Sequence, residues 1–197
     1  MKWLAFLLLF VTPAVASADT AGVRVADGFA DCIIESMPKQ SRALLEMAPA
    51  STEERALLAK FGKVSGCMGV LRGQLRMSAE FMRGAIANAL YRRQYAQSPV
   101  TNVGVTNVPR ATGVADLLAH DLARCLVSRV PASVHDFIVA RAGTENAVTS
   151  FRPIAAEFPN CAPATGGLRT THTLLRARLA EAIYDFRASQ THMTRTR

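Results

Sequence analysis

An internal repeat constrains this chain more than any other feature. Setting each residue over the one 93 positions later aligns two stretches of about seventy-five residues. Ala30, Cys32 and Pro38 fall on Ala123, Cys125 and Pro131, with the apolar pairs Ile33/Leu126 and Ile34/Val127 between them. Arg83, Ala87, Ala89 and Tyr91 fall on Arg176, Ala180, Ala182 and Tyr184. Cys67 and Cys161 miss the register by one residue, so a one-residue insertion and a matching deletion lie between. Scattered alanines align by chance, but a Cys, a Pro and an Arg-x3-Ala-x-Ala-x-Tyr string at one offset do not. The expectation is a tandem duplication.

Each copy reads as helical. Val25, Phe29, Cys32, Ile33 and Met37 recur at helical spacing, and Pro38 closes that segment. The second copy answers with Val114, Leu117, Leu118, Leu122, Cys125 and Leu126, closed by Pro131. A short helix is expected near Ser41–Ala48 and again near Ser133–Arg141, where Ser133 and Asp136 form a capping pair. Ser51 and Glu54 make an S-x-x-E box that opens a third helix with Leu57, Leu58, Phe61 and Val64 on its inner face. In the second copy Pro153 falls inside the matching segment, which predicts a shorter or kinked helix. The last helix carries Met82, Ile86, Ala89 and Leu90, matched by Leu175, Leu179, Ala182 and Ile183. The expected fold is all-α: two copies of a four-helix unit, about eight helices in total.

Outside the two copies the chain changes character. Lys2, the apolar run Trp3–Val11, Pro13 and the small-residue stretch Ala14–Ala18 fit a secretory signal peptide over residues 1–18, cut after Ala18. The run is about half the 20 residues that a membrane span needs, and no later segment is apolar enough to span. The units then occupy 19–96 and 113–189, joined by a linker at 97–112. That linker repeats Val-Thr-Asn-Val around Gly104 and reads as an ordered loop, with a small hairpin as the alternative. Residues 190–197 form a polar, basic tail expected to be disordered. The address implies a periplasmic or secreted protein.

In an exported chain, Cys32, Cys67, Cys125 and Cys161 are expected as disulfides. Four cysteines allow three pairings. Duplication of a unit that already held two cysteines selects Cys32–Cys67 and Cys125–Cys161. Loops of about thirty-five residues make each bond worth roughly 3–4 kcal/mol by chain entropy. No C-x-x-C, no haem-attachment motif and no zinc spacing competes with this reading, and no metal or cofactor is expected.

Reaction chemistry leaves few traces. The chain has no G-x-S-x-G, H-E-x-x-H, Walker loop or G-x-G-x-x-G. His120, His135, His172 and His192 do not recur in the first copy, and surface or capping roles are expected for them. Asp27, Asp31 and Glu35 form an i, i+4, i+8 stripe that the second copy replaces with His120, Arg124 and Ser128. The stripe reads as a solvated face, with a calcium site or a docking strip as alternatives.

Arg83/Tyr91 and Arg176/Tyr184 are the polar pattern that both copies share. The expected role is structural: the Arg bonds carbonyls or an acid at a helix end, and the Tyr buries its ring. As binding residues they would instead form a pair of anion pockets.

The net charge of +8 comes from 23 cations against 15 anions. No helix presents a continuous basic face, and the 7% aromatic residues do not interleave with the cations, so nucleic-acid binding is not expected. Arg92-Arg93 and the tail arginines provide weak attraction to anionic surfaces. The leading expectation is an exported, non-enzymatic helical protein that binds another envelope or secreted protein. The alternatives are a small-ligand carrier, or an enzyme with its site in the groove between the units, using Asp31, Glu35 or Glu80.

Overall fold

A computed structural model of the chain describes residues 17–68, 77–98, 100, 118–162 and 170–195. Ten helices and no strands occur among these residues, five on each side of the segment 101–117. The first five are α1 (Ser17–Ser36), α2 (Pro38–Glu46), α3 (Thr52–Phe61), α4 (Ser65–Met68) and α5 (Ala79–Tyr95). The second five are α6 (Leu118–Arg129), α7 (Pro131–Val139), α8 (Glu145–Ala156), α9 (Phe158–Cys161) and α10 (His172–Arg195). The expected signal segment lies outside the described residues except for Ser17 and Ala18, and nearly all of the expected linker does too.

Prolines set the early boundaries. Pro38 and Pro131 occupy the first turn of α2 and α7, where a missing N–H costs nothing. The residues before them, Met37 and Val130, take nearly the same backbone angles, φ −135° ψ 58° and φ −134° ψ 54°. Because α7 begins at Pro131, the expected Ser133–Asp136 cap does not form, and Val130 stands at the N-cap without a side-chain bond. Ser51 and Thr144 do cap α3 and α8, accepting from the amides of Glu54 and Ala147. Before each cap the chain turns through a left-handed residue, Ala50 at φ 62° and Gly143 at φ 81°. Pro153 sits inside α8, which at 12 residues is longer than the 10 of α3, so the expected shortening does not occur. The bond that Pro153 forgoes would go to the Thr149 carbonyl on the exposed side of α8, where water can satisfy it.

The extra helices are the one-turn segments α4 and α9, and they carry the second cysteines. Cys32–Cys67 ties α1 to α4, and Cys125–Cys161 ties α6 to α9. This is the within-unit pairing, at sequence separations of 35 and 36.

α5 and α10 form the central pair. Nine consecutive residues of α5, Arg83–Tyr91, are buried, and nine of α10, Leu175–Ile183. An amphipathic helix has one buried stripe; these are buried all round because other helices cover their remaining faces. α1 packs on α5 and α6 on α10, while α2 and α3 lie against α5 and α7 against α10. The α5–α10 crossing is close: a Cβ on Gly84 would lie 2.2 Å from the Cβ of Ala177. One continuous core runs through both halves, from Phe29 and Ile33 through Ile86 and Leu179 to Phe137 and Ile154.

Candidate functional site

The shared arginines enter the core at matching places, each the fifth residue of its helix. Arg83 is 2% exposed and Arg176 4%. Arg83 donates from Nη1 to the Leu44 carbonyl at 2.7 Å and from Nη2 to the Leu45 carbonyl at 3.0 Å. Arg176 donates from Nη1 to the Phe137 carbonyl at 2.7 Å and from Nη2 to those of Ile138 at 3.0 Å and Ala140 at 2.7 Å. These carbonyls lie at the ends of α2 and α7, where backbone donors run short and the helix dipole is negative; the Leu44 carbonyl also accepts from the Met47 amide at 3.3 Å. Each guanidinium therefore caps a helix. Arg176 also lies 4.7 Å over the Phe137 ring, and burial lowers its pKa to about 10.

Their remaining partners differ. Arg83 Nε donates to Glu181 Oε1 at 2.6 Å, and its Nη1 also reaches Glu54 Oε1 at 3.3 Å. Glu181 then holds Arg178 Nη1 at 3.3 Å, and Arg178 Nη2 lies 3.0 Å from Glu80. Five side chains from α3, α5 and α10 thus form one charge chain. Glu54 has a second task, because its other oxygen accepts from the Ala50 amide ahead of α3 at 2.5 Å. Among the described residues Arg176 makes no ion pair, and its Nε has no hydrogen-bond partner. Sequence reading found Glu54 through its capping box; Glu181 and Arg178 left no signal, because the first copy has Asn88 and Ala85 in their places.

Arg83 and Arg176 do not converge on a common pocket, since each guanidinium is engaged by its own helix end. The tyrosines reach across the halves instead. Tyr91 is fully buried, and its hydroxyl lies 2.7 Å from His135 Nδ1 on α7. Burial pushes the Tyr91 hydroxyl far above its ordinary pKa, so the bond joins a protonated phenol to the imidazole, with the direction set by the ring tautomer. Burial in turn lowers the pKa of His135. At 8% exposed, His135 is a core residue and not the surface or capping residue expected. Tyr184 is half-buried, and burial raises its pKa. Its ring meets Tyr95 edge-on at 6.3 Å, and Tyr95 in turn lies 5.4 Å from Tyr91 with Arg187 over its face.

The acid stripe on α1 is paired rather than simply solvated. Asp27 and Asp31 lie 3.8 and 3.5 Å from Arg92, and Glu35 lies 2.5 Å from Arg93. Asp31 and Glu35 therefore sit near the last turn of α5, while Glu80 sits in its first turn. Twelve residues of helix separate Glu80 from Arg92, about 18 Å at 1.5 Å per residue. These three acids do not share a site. Among the described residues no group of His, Cys, Asp and Glu is arranged to hold a metal ion, and no helix is long and apolar enough to cross a membrane.

No protein-family model, curated protein or solved structure matches this chain.

Proposed function

We propose that this is an exported protein, built by tandem duplication of one helical unit, that acts by binding another macromolecule. The observation that carries this reading is the engagement of the shared polar residues. Arg83 and Arg176 are spent on helix-end carbonyls, which leaves the outer surface as the working part of the molecule. Val148 is the one large apolar side chain strongly exposed among the described residues, so the contact we propose is polar. Two disulfides suit an oxidising compartment, and a rigid stapled scaffold suits a protein that must present a fixed surface there.

Duplication is supported by features that recur at the 93-residue offset in backbone as well as in sequence. Ala50 and Gly143 share the left-handed turn, and Ser51 and Thr144 share the cap. Both arginines reach carbonyls 39 and 38 residues upstream. Gly84 and Ala177, which occupy equivalent positions, meet each other at the α5–α10 crossing. That is the contact expected where a two-fold axis relating the copies passes between them.

Two measurements test the reading. Intact mass of the protein from an envelope or culture-fluid fraction should show a chain beginning at Asp19 or Ser17; a retained Met1 in the membrane fraction would refute export. Native mass spectrometry after affinity capture from the same fraction should then show a polypeptide bound at fixed stoichiometry. A retained small molecule without a polypeptide would favour a carrier instead.

A further inference from the structure

Two residues that each carry a buried polar atom without a partner among the described residues line one small cavity between α1, α5 and α10. The atoms are Arg176 Nε and Asn88 Oδ1, each on a residue 4% exposed. Asp27, Ala85 and Thr173 also line the cavity, which leaves about 10 Å³ for the centre of a water-sized molecule. A buried donor or acceptor left unpaired is destabilising, so two on residues of one cavity call for an occupant.

Chemistry narrows that occupant. Arg176 Nε can only donate. Asn88 Nδ2 donates to Asp27 Oδ1 at 2.9 Å, which fixes the amide so that Oδ1, an acceptor only, is the atom left over. The occupant must therefore accept from one atom and donate to the other. The Arg176 cation and the Asp27 carboxylate lie on the same cavity, so an ion would add an uncompensated charge to a site that already holds one of each sign. The roughly 10 Å³ open to the centre of a water-sized molecule matches one water. We propose that this cavity binds one internal water molecule, which accepts from Arg176 Nε–H and donates to Asn88 Oδ1.

The other half shows why a water is needed here. Its counterpart atoms, Arg83 Nε and Glu181 Oε1, bond directly at 2.6 Å. Asn88 stands in the place of Glu181 but is one methylene shorter, and the place of Ala85 is taken by the long side chain of Arg178. A shorter acceptor and a smaller neighbour leave a gap of one water. This comparison rests on the proposed duplication; the cavity and its unpaired atoms do not.

The test uses the oxidised full-length mature protein labelled with nitrogen-15. The Arg176 Nε–H resonance should show a cross-peak to a long-lived water, and a high-resolution crystal structure should place that water within about 3 Å of both atoms. Asn88→Gln adds the missing methylene without adding charge, so its amide oxygen should reach Arg176 Nε and the water signal should disappear. Oxygen-17 relaxation dispersion should then count one long-lived water fewer than in the parent. Direct contact between Asn88 and Arg176 in the parent, or no water at Arg176 Nε–H, overturns the proposal whether or not the variant folds. Persistence of the same water in a folded Asn88→Gln protein overturns it as well.

Discussion

Removing the Arg83 side chain takes a donor from two helix-end carbonyls, of which Leu44 keeps the Met47 amide, and takes from two buried carboxylates, Glu54 and Glu181, their shared cation. Removing Arg176 leaves carbonyls only. A buried acid stripped of its partner costs more than a stripped carbonyl, so the two substitutions separate. Arg83→Ala should lose about 3–5 kcal/mol and Arg176→Ala about 1–3 kcal/mol, read from urea unfolding. Equal losses, or parental stability, would show that these bonds do not carry the fold. His135 provides a second measurement at this scale. Its folded pKa is lowered by burial, so below about 6.5 the unfolded chain takes up a proton that the folded protein resists. The contribution of His135 to stability should therefore fall as pH drops through that value. Its ring signals in a proton NMR titration should have a midpoint below 6.5, and a midpoint at or above that value would contradict its placement in the core.

At the scale of the elements, the turn before each third helix has the same shape but different chemistry. Gly143 takes its positive φ without cost, whereas Ala50 carries a Cβ into the left-handed region. Ala50→Gly should stabilise the protein by up to about 1 kcal/mol, offset in part by the added freedom of the unfolded chain. Gly143→Ala should destabilise it by about the same amount. Thermal melts of the two variants should shift in opposite directions, and a fall in Tm for Ala50→Gly would mean that the side chain at 50 makes a contact outweighing the strain. The caps differ in a related way. Glu54 serves both the start of α3 and the charge of Arg83, while Ala147 in the matching place of α8 does neither. The Ala140 carbonyl accepts from Nη2 of Arg176, whereas Glu54 accepts from Nη1 of Arg83.

For the whole molecule, the continuous core sets the unit of folding. α5 is buried on every side from Arg83 to Tyr91, and α10 covers one of those sides. Residues 19–98 alone would expose that face together with an Arg83 that has lost Glu181. The fragment should be either unfolded or dimeric, with a second α5 in place of α10, and the small Gly84 at the crossing permits that pairing. Sedimentation with circular dichroism checks this, and a cooperatively folded monomer would show that each copy is self-sufficient.

The sequence by itself determined the helical class, the disulfide pairing and the cap at Ser51. The cap is local, and the pairing is the one that the expected repeat selects. The helical carriage of Arg83 and Arg176 was also legible, because their spacing from Tyr91 and Tyr184 is local. The one-turn helices α4 and α9 were not, since four residues hold too little periodicity to read. Only the tertiary structure decided which groups the arginines meet. Glu181 lies 98 residues from Arg83, and nothing local encodes that distance. It also paired the acids of α1 with Arg92 and Arg93, buried His135 under Tyr91, and opened the gap between Asn88 and Arg176. Each of these depends on how far a side chain reaches across a helix interface, and at the α5–α10 crossing one methylene decides between a direct bond and a cavity.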